Sequence, residues 1–173
     1  MTLEPAQLAD QGKKAFANKN FDEAAELFQQ AASGFTAGRA GLMAAEMMNN
    51  KSVALLRAGK PQDALLAAQD TDKLFAGAND IKRQGMALGN QAAALEGLKH
   101  YDEAIIAYER SAELFAQAGE GDLRSMVMKS AAGIKLKTCK ISESAFKMMG
   151  SLDVKENPSI FERILKFFLR FIK

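Results

Sequence analysis

The chain contains very few of the residue types that form disulfides, metal sites or catalytic centres. Its 173 residues include one cysteine, one histidine and no tryptophan. A single cysteine excludes a disulfide within the chain and fits a reducing compartment. One cysteine and one histidine cannot by themselves assemble a zinc site. Because the sequence also shows no glycine-rich phosphate loop and no nucleophile with a neighbouring base, we expect no cofactor and no enzymatic activity.

Long hydrophobic runs and a secretory signal are missing as well. The first five residues, MTLEP, lack a basic stretch followed by an apolar core. No apolar run approaches the roughly 20 residues that a membrane-spanning helix needs. A hydrophobic content of 48% is ordinary for a globular protein, and the presence of only three prolines suits packed helices. We expect a cytoplasmic protein, with peripheral attachment at the inner face of a membrane as an alternative.

The charges are distributed unevenly along the chain. Residues 1–122 carry 12 Lys and Arg against 17 Asp and Glu, whereas residues 123–173 carry 11 against 4. A basic end on an acidic body suggests that the end contacts an anionic surface, although cations near a helix C-terminus are also favourable. Because the body is acidic and the excess of basic residues falls in residues 123–173 and not along a groove, no nucleic-acid partner is expected.

The sequence resembles itself at a spacing of 40 residues. Phe35, Phe75 and Phe115 share this spacing, and so do the small residues that are predicted to let paired helices approach closely: Ala24, Ala64 and Ala104 in one helix, and Gly12, Ser52, Ala92 and Ala132 in the other. Self-similarity at a fixed period of this size predicts a stacked array of helix pairs. Alternation of small and large residues lets such helices interdigitate.

These residues resemble the tetratricopeptide repeat (TPR) family in a long, 40-residue form. The matching positions of the three repeats are Gly12, Phe21, Ala24, Phe28 and Ala31, then Ser52, Gly59, Pro61, Ala64 and Thr71, then Ala92, Tyr101, Ala104, Tyr108 and Ser111. The resemblance implies an all-α fold, a right-handed α-solenoid of antiparallel helix pairs. The usual period of this family is 34 residues, and the additional residues of each repeat in this chain fall at the joins between repeats.

The predicted organisation has three parts: a TPR-like domain at 5–150 (repeats at about 5–40, 41–80 and 81–120, with a partial fourth at 121–150), a linker at 151–158 and a C-terminal amphipathic helix at 159–173. Cys139 is predicted to lie in the turn of the fourth repeat. Asn20 and Glu23 have the spacing of a capping box at the start of a helix. The second repeat is the least typical, because Ala68 stands where a large residue is expected.

The TPR resemblance implies a peptide-binding groove on the concave surface, lined by the first helix of each repeat. The implied groove residues are Lys13, Phe16, Asn49, Asn50, Met86, Asn90, Met126, Lys129 and Ser130. Asn50 and Asn90 are 40 residues apart and resemble the asparagines that hold a peptide backbone in this family, since an amide can donate and accept at once. The alternative is that they are ordinary asparagines on a helix surface.

The C-terminal segment combines a wide apolar arc with one cationic stripe at helical periodicity. Its predicted docking residues are Phe161, Arg163, Ile164, Leu165, Lys166, Phe168, Arg170, Phe171, Ile172 and Lys173. Three interpretations remain open: a cap on the fourth repeat, an interfacial membrane helix, or a helix that enters the groove of a partner or of another copy.

Two functions follow as hypotheses. The first is a non-catalytic adaptor or scaffold that binds a protein or peptide ligand in its groove and docks through residues 159–173 on a membrane surface or a partner. The alternative is a structural self-assembling protein, in which this segment packs on a neighbouring copy to form a homo-oligomer.

Overall fold

The computed structural model describes the backbone of residues 4–153 and the side chains of residues 4–139. These residues form α-helices and no strand, which confirms the predicted all-α class. The helices are α1 (Pro5–Ala17), α2 (Phe21–Ala37), α3 (Gly41–Arg57), α4 (Pro61–Ala68), α5 (Thr71–Gly77), α6 (Ile81–Gly97), α7 (Tyr101–Gln117) and α8 (Gly121–Asp153). We refer to α1, α3, α6 and α8 as first helices, and to α2, the α4–α5 pair and α7 as second helices. Each first helix from α1 to α6 packs on its own second helix, and α3 also packs on α6.

The chain reverses between these helices through one recurring turn. One residue in each turn has a positive φ between 57° and 77°, and the six residues are 20 positions apart: Lys19, Arg39, Gly59, Asn79, Lys99 and Gly119. The next N–H bonds to a carbonyl five positions back, as from Asn20 to Ala15 at 2.9 Å and from Glu120 to Phe115 at 2.8 Å. This Schellman arrangement satisfies the last carbonyls of each helix. The 40-residue repeat therefore consists of two 20-residue units that share one turn geometry.

Small residues on one helix face large residues on the next. A Cβ on Gly12 of α1 would lie only 2.8 Å from the ring of Phe28 in α2. Gly85 of α6 meets the ring of Phe115 in α7 in the same way, at 3.1 Å. The repeating alanines of the second helices have no exposed surface: Ala24, Ala64 and Ala104. The predicted alternation of small and large residues is confirmed for these helix pairs.

The second helix of the second repeat is broken at Gln69 and Asp70, which the sequence did not predict. Gln69 has an extended backbone with ψ of 133°, and Asp70 has a left-handed φ of 60°. The span from Pro61 to Gly77 contains no additional residues relative to the 17-residue helices α2 and α7. The break therefore changes the path of the helix without changing the repeat length.

The fourth repeat departs from its prediction, because α8 runs for 33 residues from Gly121 to Asp153 without a turn. The turn predicted at Cys139 is wrong, and residues 151–153 of the predicted linker are helical. Ala132, which was predicted to pack closely on a second helix, is exposed. The chain divides after Ala132 into two compact units, and α8 contributes to both.

A change of residue type accompanies this continuation. The residue whose carbonyl closes each turn is apolar in every earlier case: Ala15, Phe35, Leu55, Phe75, Leu95 and Phe115. The corresponding residue in α8 is Lys135, which is exposed. The hydroxyl of Thr138 donates to the carbonyl of Ile134 at 3.1 Å within the continuing helix. The described part of α8 therefore lacks the apolar residue that stands at this position in the six earlier turns.

The helix starts differ in how they are capped. Asn20 makes no capping bond with its side chain, and its Nδ2 donates instead to Oε2 of Glu23 at 3.1 Å. The capping box predicted from these two residues is therefore wrong. Asp80 does cap α6, because its Oδ1 accepts from the backbone N–H of Arg83 at 2.9 Å.

Candidate functional site

Two open hollows lie on the face formed by the first helices. Hollow 1 has a volume of about 330 Å³, lies between α1 and α3, and is lined by Lys13, Phe16, Phe28, Glu46, Asn50 and Val53. Hollow 2 has a volume of about 300 Å³, lies between α6 and α8, and is lined by Met86, Gly89, Asn90, Ala93, Tyr108, Phe115, Leu123, Met126, Val127 and Ser130. The two linings together contain all the groove residues predicted from the sequence except Asn49 and Lys129.

The hollows occupy equivalent positions two repeats apart. Adding 80 to the residue number relates their linings pairwise: Lys13 to Ala93, Phe28 to Tyr108, Glu46 to Met126 and Asn50 to Ser130. An aromatic ring and a polar residue are thus retained, whereas the two charged residues of hollow 1 become apolar in hollow 2. Hollow 2 consequently suits the insertion of an apolar side chain better than hollow 1 does.

Two methionines in the lining of hollow 2 are exposed to solvent. Met86 of α6 is 45% exposed and Met126 of α8 is 57% exposed, although both are large apolar residues. Methionine is flexible and polarisable, so it can adapt its shape to different apolar partners. Gly89 also lines this hollow, and a Cβ there would be 3.3 Å from Oγ of Ser111 in α7. The missing side chain at Gly89 lets α7 approach α6 closely beneath the hollow.

Tyr108 in this lining is held by a partly buried hydrogen bond. Its hydroxyl donates to Oε2 of Glu96 at 2.9 Å. Burial of the phenol, together with the negative charge of Glu96, raises the pKa of Tyr108 well above its ordinary value. The hydrogen bond to Glu96 therefore helps to hold the ring of Tyr108 in the lining of hollow 2.

The equivalent position between the hollows lacks an aromatic ring. Ala68 stands where the neighbouring repeats have Phe28 and Tyr108, and it is fully buried. Its carbonyl, which the helix break leaves without a helical partner, accepts bonds from Oγ1 of Thr71 at 2.7 Å and Nε2 of Gln91 at 2.9 Å. In the middle repeat, polar contacts therefore take the position at which the first and third repeats have an aromatic side chain.

The two predicted groove asparagines of this region take part in the same polar cluster. Asn49 is only 7% exposed. Its Oδ1 lies 3.3 Å from Oγ1 of Thr71 and accepts from Nδ2 of Asn90 at 3.4 Å. Asn49 consequently has a structural position inside the protein. Asn90 lines hollow 2 and also bonds inward, so only part of its amide is available to a ligand.

Arg83 joins α3 and α6 on the same face. Its Nη1 lies 3.2 Å from Oε2 of Glu46, and its Nε donates to Oδ2 of Asp80 at 2.6 Å. The guanidinium also lies 5.1 Å from the ring centroid of Phe75. Hydrogen bonds from the backbone and side chain of Arg83 lower the pKa of Asp80 below its ordinary value. These contacts fix the two first helices between the hollows.

A third hollow shares no lining residue with hollows 1 and 2, and half of its lining residues are charged. It has a volume of about 470 Å³ and is lined by Asp22, Ala25, Glu26, Met48, Lys51, Leu55, Lys60, Asp63, Leu66 and Ala67. Nζ of Lys60 lies 2.9 Å from Oδ1 of Asp22, and Nζ of Lys51 donates to Oε1 of Gln29 at 2.7 Å. None of the predicted groove residues lines it.

The remaining predicted residues fall outside the two hollows. Lys129 is exposed on α8 but does not contribute to the lining of hollow 2. All ten residues of the predicted docking helix lie beyond the described part of the chain, so their role stays a prediction. Sequence reasoning also missed Phe28 and Tyr108 as groove residues and gave them only as matching positions of the repeat, although their spacing of 80 marks them as a repeated feature.

The described residues offer few groups for catalysis. Nδ1 of His100 lies 3.4 Å from Oε1 of Glu103 at the start of α7, and Cys139 is exposed. No three His, Cys, Asp or Glu side chains among the described residues are close enough to hold a metal ion. No helix in the part of the chain that the structure describes has both the length and the hydropathy needed to cross a bilayer.

No protein-family model matches this chain, and a search of curated proteins returned no match. The geometry of the hollows is therefore the basis for a functional proposal.

Proposed function

We propose that this protein is a non-catalytic interaction module that binds a peptide or helix on the face of its first helices, with hollow 2 as the main anchor site. The observation that supports this most directly is an accessible apolar hollow with two exposed methionines, Met86 and Met126, above an aromatic lining. Large exposed apolar residues around a concave site are typical of ligand- and protein-binding surfaces. The resemblance to tetratricopeptide repeats favours the same face.

An apolar side chain of the ligand would enter hollow 2. Burial of one Leu or Phe side chain contributes about 1.5–3 kcal/mol, which alone supports only weak binding. Additional affinity requires polar contacts along the face, and the half-buried amide of Asn50 in hollow 1 can both donate and accept. A peptide that contacts both hollows would therefore bind more tightly than one that contacts hollow 2 alone.

Selection of peptides from a random library tests this proposal without knowledge of the natural partner. A phage-displayed library of 12-residue peptides is selected on the full chain, and the dissociation constants of the enriched peptides are measured by fluorescence anisotropy. We expect Met126→Lys to weaken binding at least tenfold, because the cation would be placed over an apolar site. Met43→Lys is the matched control: Met43 lies on α3, is 53% exposed and lines none of the three hollows.

Two results would contradict the proposal. One is that no peptide is enriched over a blank surface. The other is that Met126→Lys and Met43→Lys change the dissociation constants equally, which would mean that the peptides bind elsewhere on the protein.

A further inference from the structure

The array of helix pairs ends on a first helix that lacks a second helix among the described residues. In repeats one to three, the chain turns back after each first helix through a residue of positive φ. In the fourth repeat, α8 continues through the corresponding position to Asp153. The face of α8 on which a second helix would pack is therefore left without one in the part of the chain that the structure describes.

Three side chains of α8 mark this face. Their equivalents in the complete repeats are buried or half-buried: Ala45, Met48 and Ser52 in α3, and Gly85, Leu88 and Ala92 in α6. In α8 all three positions are exposed, namely Ser125, Met128 and Ala132. Spacings of three and four residues place them on one side of the helix. None of them lines hollow 2, so we treat them as a separate surface and name it the α8 face.

The complete repeats show what kind of helix covers this surface. Gly12 faces the ring of Phe28, and Gly85 faces the ring of Phe115. Oγ of Ser111 also donates to the main-chain carbonyl of Gly85 at 2.7 Å. The covering helices carry a small residue, an aromatic residue, a small residue and a phenylalanine at fixed spacing: Ala24, Phe28, Ala31 and Phe35 in α2, and Ala104, Tyr108, Ser111 and Phe115 in α7.

Charge distinguishes between candidate occupants of the α8 face. The described side chains of α8 include four Lys and Arg, and Asp122 is the acidic residue among them. Pairing of two copies through α8 would bring like charges together, which is unfavourable. The helix α7, which covers α6, has the opposite character, with four acidic residues against Arg110. Complementarity therefore favours an acidic helix.

We propose that the α8 face is a docking site for an acidic amphipathic helix of another protein, which carries the small–aromatic–small–Phe pattern of α2 and α7. The bound helix completes the fourth helix pair. Its aromatic residues pack over Ser125 and Ala132, and a hydroxyl at the second small position can bond to the carbonyl of Ser125. This surface and its partner are independent of ligand binding at hollow 2.

The chain itself supplies a probe for the test. A fluorescein-labelled synthetic peptide with the sequence of Tyr101–Gln117 carries both the pattern and the acidic charge, and its binding to the full chain is followed by anisotropy. We expect saturable binding, and at least tenfold weaker binding of a control peptide with Tyr108→Glu and Phe115→Glu. We also expect Ala132→Glu to weaken binding of the unmodified peptide at least tenfold. The control Met43→Glu should change it less than twofold, because Met43 lies on α3, is 53% exposed and lines none of the three hollows.

Circular dichroism of Ala132→Glu checks that the variant keeps its helix content, as the exposure of Ala132 predicts. Met128→Glu provides a second variant on the same face. Failure of the peptide to bind the wild-type chain overturns the proposal, and so does equal binding by Ala132→Glu and Met43→Glu.

Two further results overturn the proposal by identifying another occupant. In the first, light scattering shows that the wild-type chain is a dimer, Ala132→Glu dissociates this dimer, and the peptide does not bind. This result assigns the α8 face to a second copy. Peptide binding only after Ile164→Glu and Phe168→Glu are introduced assigns it to the 159–173 segment of the chain.

Discussion

Three charged residues hold turn positions that glycine would occupy with less strain. Lys19, Arg39 and Lys99 have φ values of 65°, 58° and 64°, whereas Gly59 has 77° at the equivalent position. A left-handed conformation costs a residue with a Cβ about 1–2 kcal/mol. Glycine removes this cost but increases the entropy of the unfolded chain by about 0.5–1 kcal/mol. Each of Lys19→Gly, Arg39→Gly and Lys99→Gly should therefore raise the free energy of unfolding by about 0.5–1 kcal/mol.

The three sites lie in separate turns, so their effects should add. The triple variant is expected to gain about 1.5–3 kcal/mol, which corresponds to an increase in Tm of about 5–10 °C for a domain of this size. Urea unfolding followed by circular dichroism at 222 nm measures the free energy, and calorimetry measures Tm. Lys19→Ala is the matched control, because it removes the charge but keeps the Cβ and should give no gain.

Ala58→Gly tests the same reasoning in the opposite direction. Ala58 precedes Gly59 and has a right-handed φ of −77°, so glycine there adds flexibility to the unfolded chain without relieving strain. It should lower stability. An unchanged or lower Tm in the triple variant, or an equal gain from Lys19→Ala and Lys19→Gly, would refute the argument from left-handed strain.

Further expectations concern packing and pH. Gly12→Ala should lower the free energy of unfolding by about 1–3 kcal/mol, because the new Cβ would lie 2.8 Å from Phe28. Gly133→Ala has open space around it and should raise the free energy of unfolding by about 1 kcal/mol. Equal urea midpoints of the two variants would contradict this reasoning. Hydrogen bonds from Arg83 hold the pKa of Asp80 in the folded protein below its ordinary value of 3.8. Ionised Asp80 therefore stabilises the fold above pH 3.8, and this stabilisation is lost as the pH falls through the lower pKa of the folded state. Asp80→Ala should cost about 1 kcal/mol at pH 7 and show a shallower loss below pH 3.8 in urea titrations; an unchanged pH profile would contradict the assignment.

Much of the helical array could be predicted from the residue spacing. The burial of Ala24, Ala64 and Ala104 follows from it, because equivalent residues in stacked helix pairs meet equivalent neighbours. The hollow linings were predicted less completely. Met86 and Met126 were identified through their repeat positions, but Asn49 was placed on the surface although it is buried.

The sequence by itself determined the all-α class, the 40-residue period and the positions of the turns up to Gly119. These properties depend on residue types that recur along the chain, and the period is visible without any knowledge of contacts between helices. It also determined which residues of each first helix share a face, since helical spacing alone decides that.

Only the tertiary structure decided where the repetition fails. The break at Asp70 is stabilised by contacts that come from other helices, among them Gln91 in α6, which bonds to the carbonyl of Ala68. The same holds for the burial of Asn49, whose partners are 22 and 41 residues away. The position of a residue in the repeat predicts which surface of its own helix pair it occupies. Whether that surface is buried depends on side chains of other repeats, and these side chains differ from one repeat to the next.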